Sequence, residues 1–287
     1  MNNKNTSGFD ILIKIDDQII GIYNSIQRGR FLLSGQSKKY NLHQNIELKN
    51  KHQGQRCFII GNGPSIKQQD LTLLKDEWTF CVNYFYKHPQ ITEIRPKYYG
   101  LIDPKLITGE WPISMIEEIV NSCPGTQLLM NAKYQDSPII VNQCQNLPIY
   151  WLYNNQFLHE GFSCSSDLTK GLGSSTVITS CLFAAIYMGF SEIYLLGLDC
   201  DGIFRDLVDQ SSHFYEAAKE NIGDNDPFLV IRNLRSSIQG LQGWRAIAQH
   251  FENSPHKIVN LTNGGLLNVF PRNSLEAIVR EKKLSNV

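Results

Sequence analysis

From Arg56 onward, short apolar runs alternate with helix-length segments, and this alternation narrows the folds open to the chain. The runs cover residues 57–60, 79–82, 98–102, 127–130, 149–152, 193–196 and 258–261. Each is short enough for a strand buried on both faces, as in a parallel sheet. Segments such as 174–188 and 238–251 are long enough to be the helices between them. Alternating strands and helices predict an α/β fold, a doubly wound Rossmann-like parallel sheet.

The first run ends abruptly in Gly61-Asn62-Gly63-Pro64-Ser65. Glycine admits positive φ and close approach of a ligand to the backbone, and Pro64 suits the first turn of a helix. A glycine-rich turn between a buried strand and a helix is where α/β proteins hold phosphorylated ligands. It is neither a Walker loop, which needs a Lys, nor the dinucleotide fingerprint, whose third glycine would fall at Ile66. A tight turn without a ligand is the bland alternative.

Lys+Arg and Asp+Glu both number 27, which argues against a general nucleic-acid binder. No apolar run approaches the ~18 residues of a membrane span, and no secretory signal is visible. The seven cysteines are scattered without a Cys-x-x-Cys pair. They predict core thiols in a cytoplasmic protein rather than a zinc site or a disulfide framework. Residues 1–54 read as an N-terminal extension: 11–23 as a hairpin or a helix, 34–55 as a polar linker or solvated helix. Residues 55–287 read as the catalytic domain. An insertion at about 200–235, rich in aromatic residues, reads as a lid.

Four further features carry chemistry. Gly171-Leu-Gly173-Ser174-Ser175-Thr176 precedes an apolar helix, whose N-terminus would favour a phosphate or carboxylate; an ordinary cap is the alternative. Asp199 and Asp201 follow a buried strand, where an Asp-x-Asp pair can hold a divalent cation or simply cap a turn. Asn83 and Asp103 each follow a strand and could meet a ribose, a base edge or a reacting hydroxyl, or cap a helix. His213, beside Phe214 and Tyr215, is of the residue type suited to a general base at neutral pH, or is a plain surface histidine.

These residues resemble a known family. Phe58-Ile-Ile-Gly-Asn-Gly-Pro-Ser65, Phe80-Cys-Val-Asn83 and Ile102-Asp-Pro104 look like blocks of glycosyltransferase family 42, the bacterial sialyltransferases that use CMP-N-acetylneuraminate. Met188-Gly-Phe-Ser-Glu-Ile-Tyr-Leu-Leu-Gly-Leu-Asp199 is similar to a later block. His213-Phe-Tyr and Leu261-Thr-Asn-Gly-Gly-Leu-Leu-Asn-Val-Phe-Pro-Arg272 resemble the related group of 6-hydroxymethylpterin diphosphokinase MptE-like and motility-accessory-factor domains. The sequence departs from family 42 at Asp103, where the family has Asn, and at Ala217, where its catalytic His stands.

The resemblance implies transfer of a nonulosonic acid such as sialic acid from a CMP-linked donor to a glycan or glycolipid of a surface polysaccharide. It implies Gly61, Asn62, Gly63, Ser65, Asn83, Gly173, Ser174, Ser175, Thr176 and Asp199 around the nucleotide sugar. His213 would be the general base, with Asp103 and Tyr215 completing the catalytic set. No cofactor or metal would be required. Mg²⁺ or Mn²⁺ would enter only for the alternative, a pterin pyrophosphokinase-like enzyme; a non-catalytic nucleotide-sugar-binding assembly factor is a third reading. Peripheral attachment to the inner membrane and a homo-oligomer are compatible with all of these.

Overall fold

The computed structural model of the chain describes residues 8–144, 146–159, 166–173, 176–208, 210–216 and 227–285. Among the described residues, eight strands form one parallel sheet: β1 Arg56–Ile60, β2 Trp78–Val82, β3 Tyr98–Leu101, β4 Gln127–Asn131, β5 Ile149–Gln156, β6 Gly171–Gly173, β7 Glu192–Leu196 and β8 Lys257–Asn260. Their order is β6-β5-β4-β3-β2-β1-β7-β8. Cys57 pairs with Trp78 on one side and with Ile193 on the other. The α/β fold with a doubly wound parallel sheet is therefore as expected.

Chain direction across the sheet reverses between β1 and β7. Strands β2 to β6 lie in sequence on one side of β1, and β7 and β8 lie on the other. In open α/β sheets such a switch point opens a crevice beyond the carboxyl ends of the strands, because the adjoining connections leave to opposite faces. The fold alone thus singles out the turns after β1 and β7.

Side chains alternate between two cores. Cys57 and Ile59 join Phe80, Val82, Ile193 and Leu195 on one face, beneath the helix Val177–Tyr187. Phe58 and Ile60 join Cys81, Tyr99, Leu128 and Leu196 on the other, under the helices Ser114–Ser122 and Leu275–Ser285. Every residue from Ile178 to Tyr187 is buried. A helix apolar on all sides is stable only when covered on all sides.

Of the two alternatives for residues 11–23, the structure has the helix, which runs over Gly8–Leu33. The expected linker is part of the body: Leu42 and Leu48 are fully buried. The backbone N–H groups of Asn50, His52 and Gly54 donate to the carbonyls of Tyr187, Met188 and Gly189, at 3.0, 2.8 and 3.1 Å. They satisfy carbonyls that a helix end leaves without intrahelical partners. His52 sits between Trp78 and Phe190, ring centroids 4.0 and 4.6 Å away, with Nε2 2.7 Å from the Tyr98 hydroxyl.

Within the expected insertion at about 200–235, residues 227–235 are helical. A short helix, Gly202–Leu207, leads to a bent segment at 210–216. The long helix Pro227–Phe251 begins well before residue 238, where the sequence placed it. Residues 209 and 217–226 of the predicted lid, Ala217 included, lie outside the described residues. Among the described residues, no helix is long and apolar enough to cross a membrane.

Candidate functional site

The turns after β1 and β7 pack backbone to backbone. Gly61 N–H donates to Leu196 O at 2.8 Å, and Gly63 N–H to Gly197 O at 3.0 Å. A Cβ at Gly61 would lie 2.6 Å from Gly197 O, and one at Gly63 would lie 1.8 Å from Asp199 Oδ2. The sequence reading gave the space left by these glycines to a ligand. The structure gives it to the β7 turn.

Asp199 is buried and anchors that contact. Its Oδ2 accepts from Ser65 Oγ at 2.8 Å and its Oδ1 from Ser65 N–H at 3.2 Å. Burial holds its carboxyl above the ordinary value, against the hydrogen bonds from Ser65. Arg205 Nε donates to Asp201 Oδ1 at 2.8 Å, and Arg205 Nη2 lies 3.9 Å from Asp199 Oδ1. A guanidinium from the chain itself thus stands between the two carboxylates of the Asp-x-Asp pair.

The asparagines present a different chemistry. Asn62 Nδ2 donates to Val82 O at 3.2 Å, which ties the end of β1 to the end of β2. A carbonyl accepts only a donor, so this bond sets the amide orientation and turns Oδ1 away. Asn62 Oδ1 is buried without a hydrogen-bond partner, and so is Asn83 Oδ1. Asn83 has φ of 49°, a left-handed conformation that asparagine tolerates better than most residues, and its carbonyl accepts from the Tyr99 hydroxyl at 2.8 Å. A buried acceptor left unpaired costs about 1–3 kcal/mol, so two on adjoining strand ends are a reason to look for a ligand.

Thr176 caps the central helix. Its Oγ1 accepts from Thr179 N–H at 3.3 Å, and Thr179 Oγ1 accepts from Thr176 N–H at 3.0 Å. Asp103 Oδ1 accepts from Lys105 N–H at 2.9 Å, in the turn that leads into the short helix Lys105–Thr108.

The segment after the short helix crosses the crevice. Phe214 N–H donates to Asn62 O at 2.9 Å. The Phe214 ring is buried, 5.7 Å from Phe85 and 5.2 Å from His88. This plug fixes the residues on either side of it. His213 Nδ1 lies 3.0 Å from Ser212 Oγ. The Tyr215 ring lies 5.0 Å from His213 and 5.1 Å from Tyr84, and burial pushes its phenol well above the usual range.

The crevice encloses about 180 Å³ between Asn62, Gly63, Thr176, Asp199, His213 and Trp244, among others. Gly61 and Ser65 lie directly behind it. Asn83 and Asp103 follow the adjoining strands β2 and β3, and Tyr215 belongs to the bent segment at 210–216; none of the three is part of the lining. Gly173 ends the edge strand β6, paired with Gln156, and is not part of the lining. Ser174 and Ser175 lie outside the described residues. A larger cavity of about 590 Å³ lies between the end of the helix Pro227–Phe251 and β8. None of the unpartnered buried polar atoms among the described residues lines it.

A family model for 6-hydroxymethylpterin diphosphokinase MptE-like proteins matches residues 36–203. The chain belongs to the MptE-like family. No curated protein matches this MptE-like chain. Among solved structures it is similar to the sialyltransferase CstII from Campylobacter jejuni in complex with a substrate analogue, cytidine-5′-monophosphate. That match has 16% identity and a TM-score of 0.47, and covers 77% of this chain and 86% of that one. It is also similar to the MAf glycosyltransferase from Magnetospirillum magneticum AMB-1, at 13% identity and a TM-score of 0.49, over 83% of this chain and 38% of that one. CstII with a trisaccharide acceptor and CMP matches at 17% identity and a TM-score of 0.43, over 77% of this chain and 86% of that one. At scores this low the likeness establishes neither activity nor ligand.

Several polar or aromatic residues at or beyond the crevice of this MptE-like chain are not among the sequence candidates. Arg205 was legible as the fourth residue after Asp201 on a helix, a spacing that brings charges together. Asn154 and Asn155 continue β5 past residue 152, where the reading ended it, and both carry an unpartnered buried Oδ1. Asn154 Nδ2 reaches Ser180 Oγ on the central helix at 3.2 Å. Trp244 comes from a distant helix, and no local pattern announces it.

Proposed function

We propose that this MptE-like chain is a glycosyltransferase that takes a CMP-linked nonulosonic acid, such as sialic acid, and transfers it to a glycan or glycolipid acceptor. The observation that carries the reading is the pair of unpartnered amide oxygens, Asn62 Oδ1 at the switch point of the sheet and Asn83 Oδ1 at the end of the neighbouring strand β2. Such acceptors suit the hydroxyls of a ribose or the exocyclic amine of a cytosine. A phosphate suits the N-terminus of the central helix at Thr176.

His213 then removes the proton of the acceptor hydroxyl at Nε2, while Ser212 Oγ orients the ring through Nδ1. The acceptor oxygen forms a bond to the anomeric carbon as the bond from that carbon to the CMP phosphate breaks. Tyr215, kept protonated by burial, donates to the departing phosphate. Gly61, Gly63, Ser65 and Asp199 hold the two turns in register, and Asp103 lies beside Tyr215. Phe204, Leu207 and Val208, all exposed on the short helix next to the crevice, suit an acceptor presented at a membrane surface.

The family description favours one second reading, a pterin pyrophosphokinase using ATP and Mg²⁺. Its metal would need Asp199 and Asp201, which Ser65 and Arg205 already engage. Calorimetry with CMP, UDP, GDP and ATP, each with and without Mg²⁺, separates the two. CMP binding independent of Mg²⁺ is the expected outcome. Binding of ATP alone, and only with Mg²⁺, would replace the first reading by the second.

A further inference from the structure

The helix Gly8–Leu33 docks on the body through one seam and leaves a better one bare. Toward the body it turns Asn24 and Phe31, both buried. Asn24 Nδ2 donates to Phe157 O at 2.8 Å and Asn24 Oδ1 accepts from Phe157 N–H at 2.9 Å. Phe31 packs 5.2 Å from Tyr153. The opposite face carries Ile15, Ile19, Ile22 and Ile26, which are 45, 59, 63 and 50% exposed, and ends at Leu33, 91% exposed. Gaps of four, three and four residues separate the isoleucines, the repeat of a coiled-coil seam. An asparagine inside and four isoleucines outside invert the usual partition.

We propose that this seam pairs with the same seam of a second copy of the chain, antiparallel. The charges select both the occupant and the direction. Asp16, Tyr23 and Arg30 recur at heptad spacing along one flank of the seam. In an antiparallel pair Asp16 of one copy faces Arg30 of the other, twice by symmetry, and Tyr23 meets Tyr23 at the centre. That is a closed two-fold interface. A parallel pair brings like ends together instead. A bilayer would call for an excess of Lys and Arg beside the apolar face. Here Lys14, Arg28 and Arg30 are balanced by Asp10, Asp16 and Asp17.

Light scattering coupled to size exclusion, run on the full chain over a dilution series, tests this pairing. The wild type should be a dimer that dissociates on dilution. The variant I19E/I22E/I26E should be a monomer with an unchanged circular dichroism spectrum. D16R and R30D should each weaken the dimer, and D16R/R30D together should restore it. A wild type monomeric at every concentration overturns the proposal, as does a dimer that survives the triple substitution. Failure of the double charge swap to restore a dimer that each single swap breaks overturns the antiparallel arrangement. Wild-type monomer that sediments with vesicles of phosphatidylcholine and phosphatidylglycerol, and loses this in the triple variant, assigns the seam to a bilayer instead.

Discussion

Ser65 and Asp199 meet across the switch point through two hydrogen bonds, side chain to carboxylate at 2.8 Å and backbone to carboxylate at 3.2 Å. They lie 134 residues apart in sequence. The contact therefore closes the β1 turn onto the β7 turn and fixes the floor on which a ligand would rest. It also explains why Gly63 bears no side chain: Asp199 Oδ2 fills that space.

Ser65→Ala should therefore act on stability before it acts on binding. The buried carboxylate loses its hydroxyl donor, at a cost of about 1–3 kcal/mol. Urea unfolding should show that loss, and the same substitution made beside Asp199→Ala should cost markedly less. Additive effects of the two changes would mean that the residues do not act as a pair.

Acid should weaken the fold through two histidines. Burial holds the pKa of His52 and His88 below the ordinary 6.5. Each stays neutral in the folded protein while the unfolded chain takes up a proton, so the unfolded state binds more protons as pH falls. Their contribution is complete above 6.5 and is lost as pH drops through the lower folded values. His88 stacks on Phe85 and touches the Phe214 plug, so the crevice cover shares the loss. Thermal melts should show Tm falling below pH 6.5. His88→Phe should flatten that fall, and an unchanged slope would place the sensitivity elsewhere.

Removing Asn62 Oδ1 should weaken CMP. A hydrogen bond contributes about 0.5–1.5 kcal/mol when neutral and up to ~3 when charge-assisted, so Asn62→Ala should raise the Kd about tenfold. Asn83→Ala should behave likewise. Titration calorimetry reads both, and unaltered affinity in the pair would take the unpartnered amides out of the nucleotide site.

Most of the sheet is legible in the sequence because a strand buried on both faces must be apolar at every position. Residues 57–60, 79–82 and 193–196 coincide with β1, β2 and β7 to within a residue. β6 is invisible by the same rule. It is Gly-Leu-Gly, and Gly171 lacks a side chain because the Asn155 amide comes within 2.3 Å of where a Cβ would be. The segment at 42–54 reads as linker or solvated helix because only a few of its side chains, Leu42 and Leu48 among them, are buried, and the rest of its attachment is through backbone donors, which leave no trace in side-chain polarity. At the site, the turns and their residue types could be read, but their partners could not. Ser65 and Asp199 each read as a ligand contact, and their bond to one another across the two turns is visible only in the fold.

His213 carries the last prediction. Its ring lines the crevice, held from behind by Ser212 Oγ and flanked by Tyr215. A general base placed there contributes about 10²–10⁴-fold to turnover. His213→Ala should lower kcat by about that factor in a sialyl-transfer assay with a CMP-linked donor, with donor affinity nearly intact, because the proposed nucleotide contacts are those of Asn62, Asn83 and Thr176. Ser212→Ala should lower kcat less, since its part in the proposed arrangement is to orient the base through Nδ1. The rate should also lose its acid limb in His213→Ala, because a protonated imidazole accepts no proton. A variant that keeps both its turnover and its acid limb would move the base elsewhere, and Asp103, beside Tyr215, is the carboxylate to substitute next.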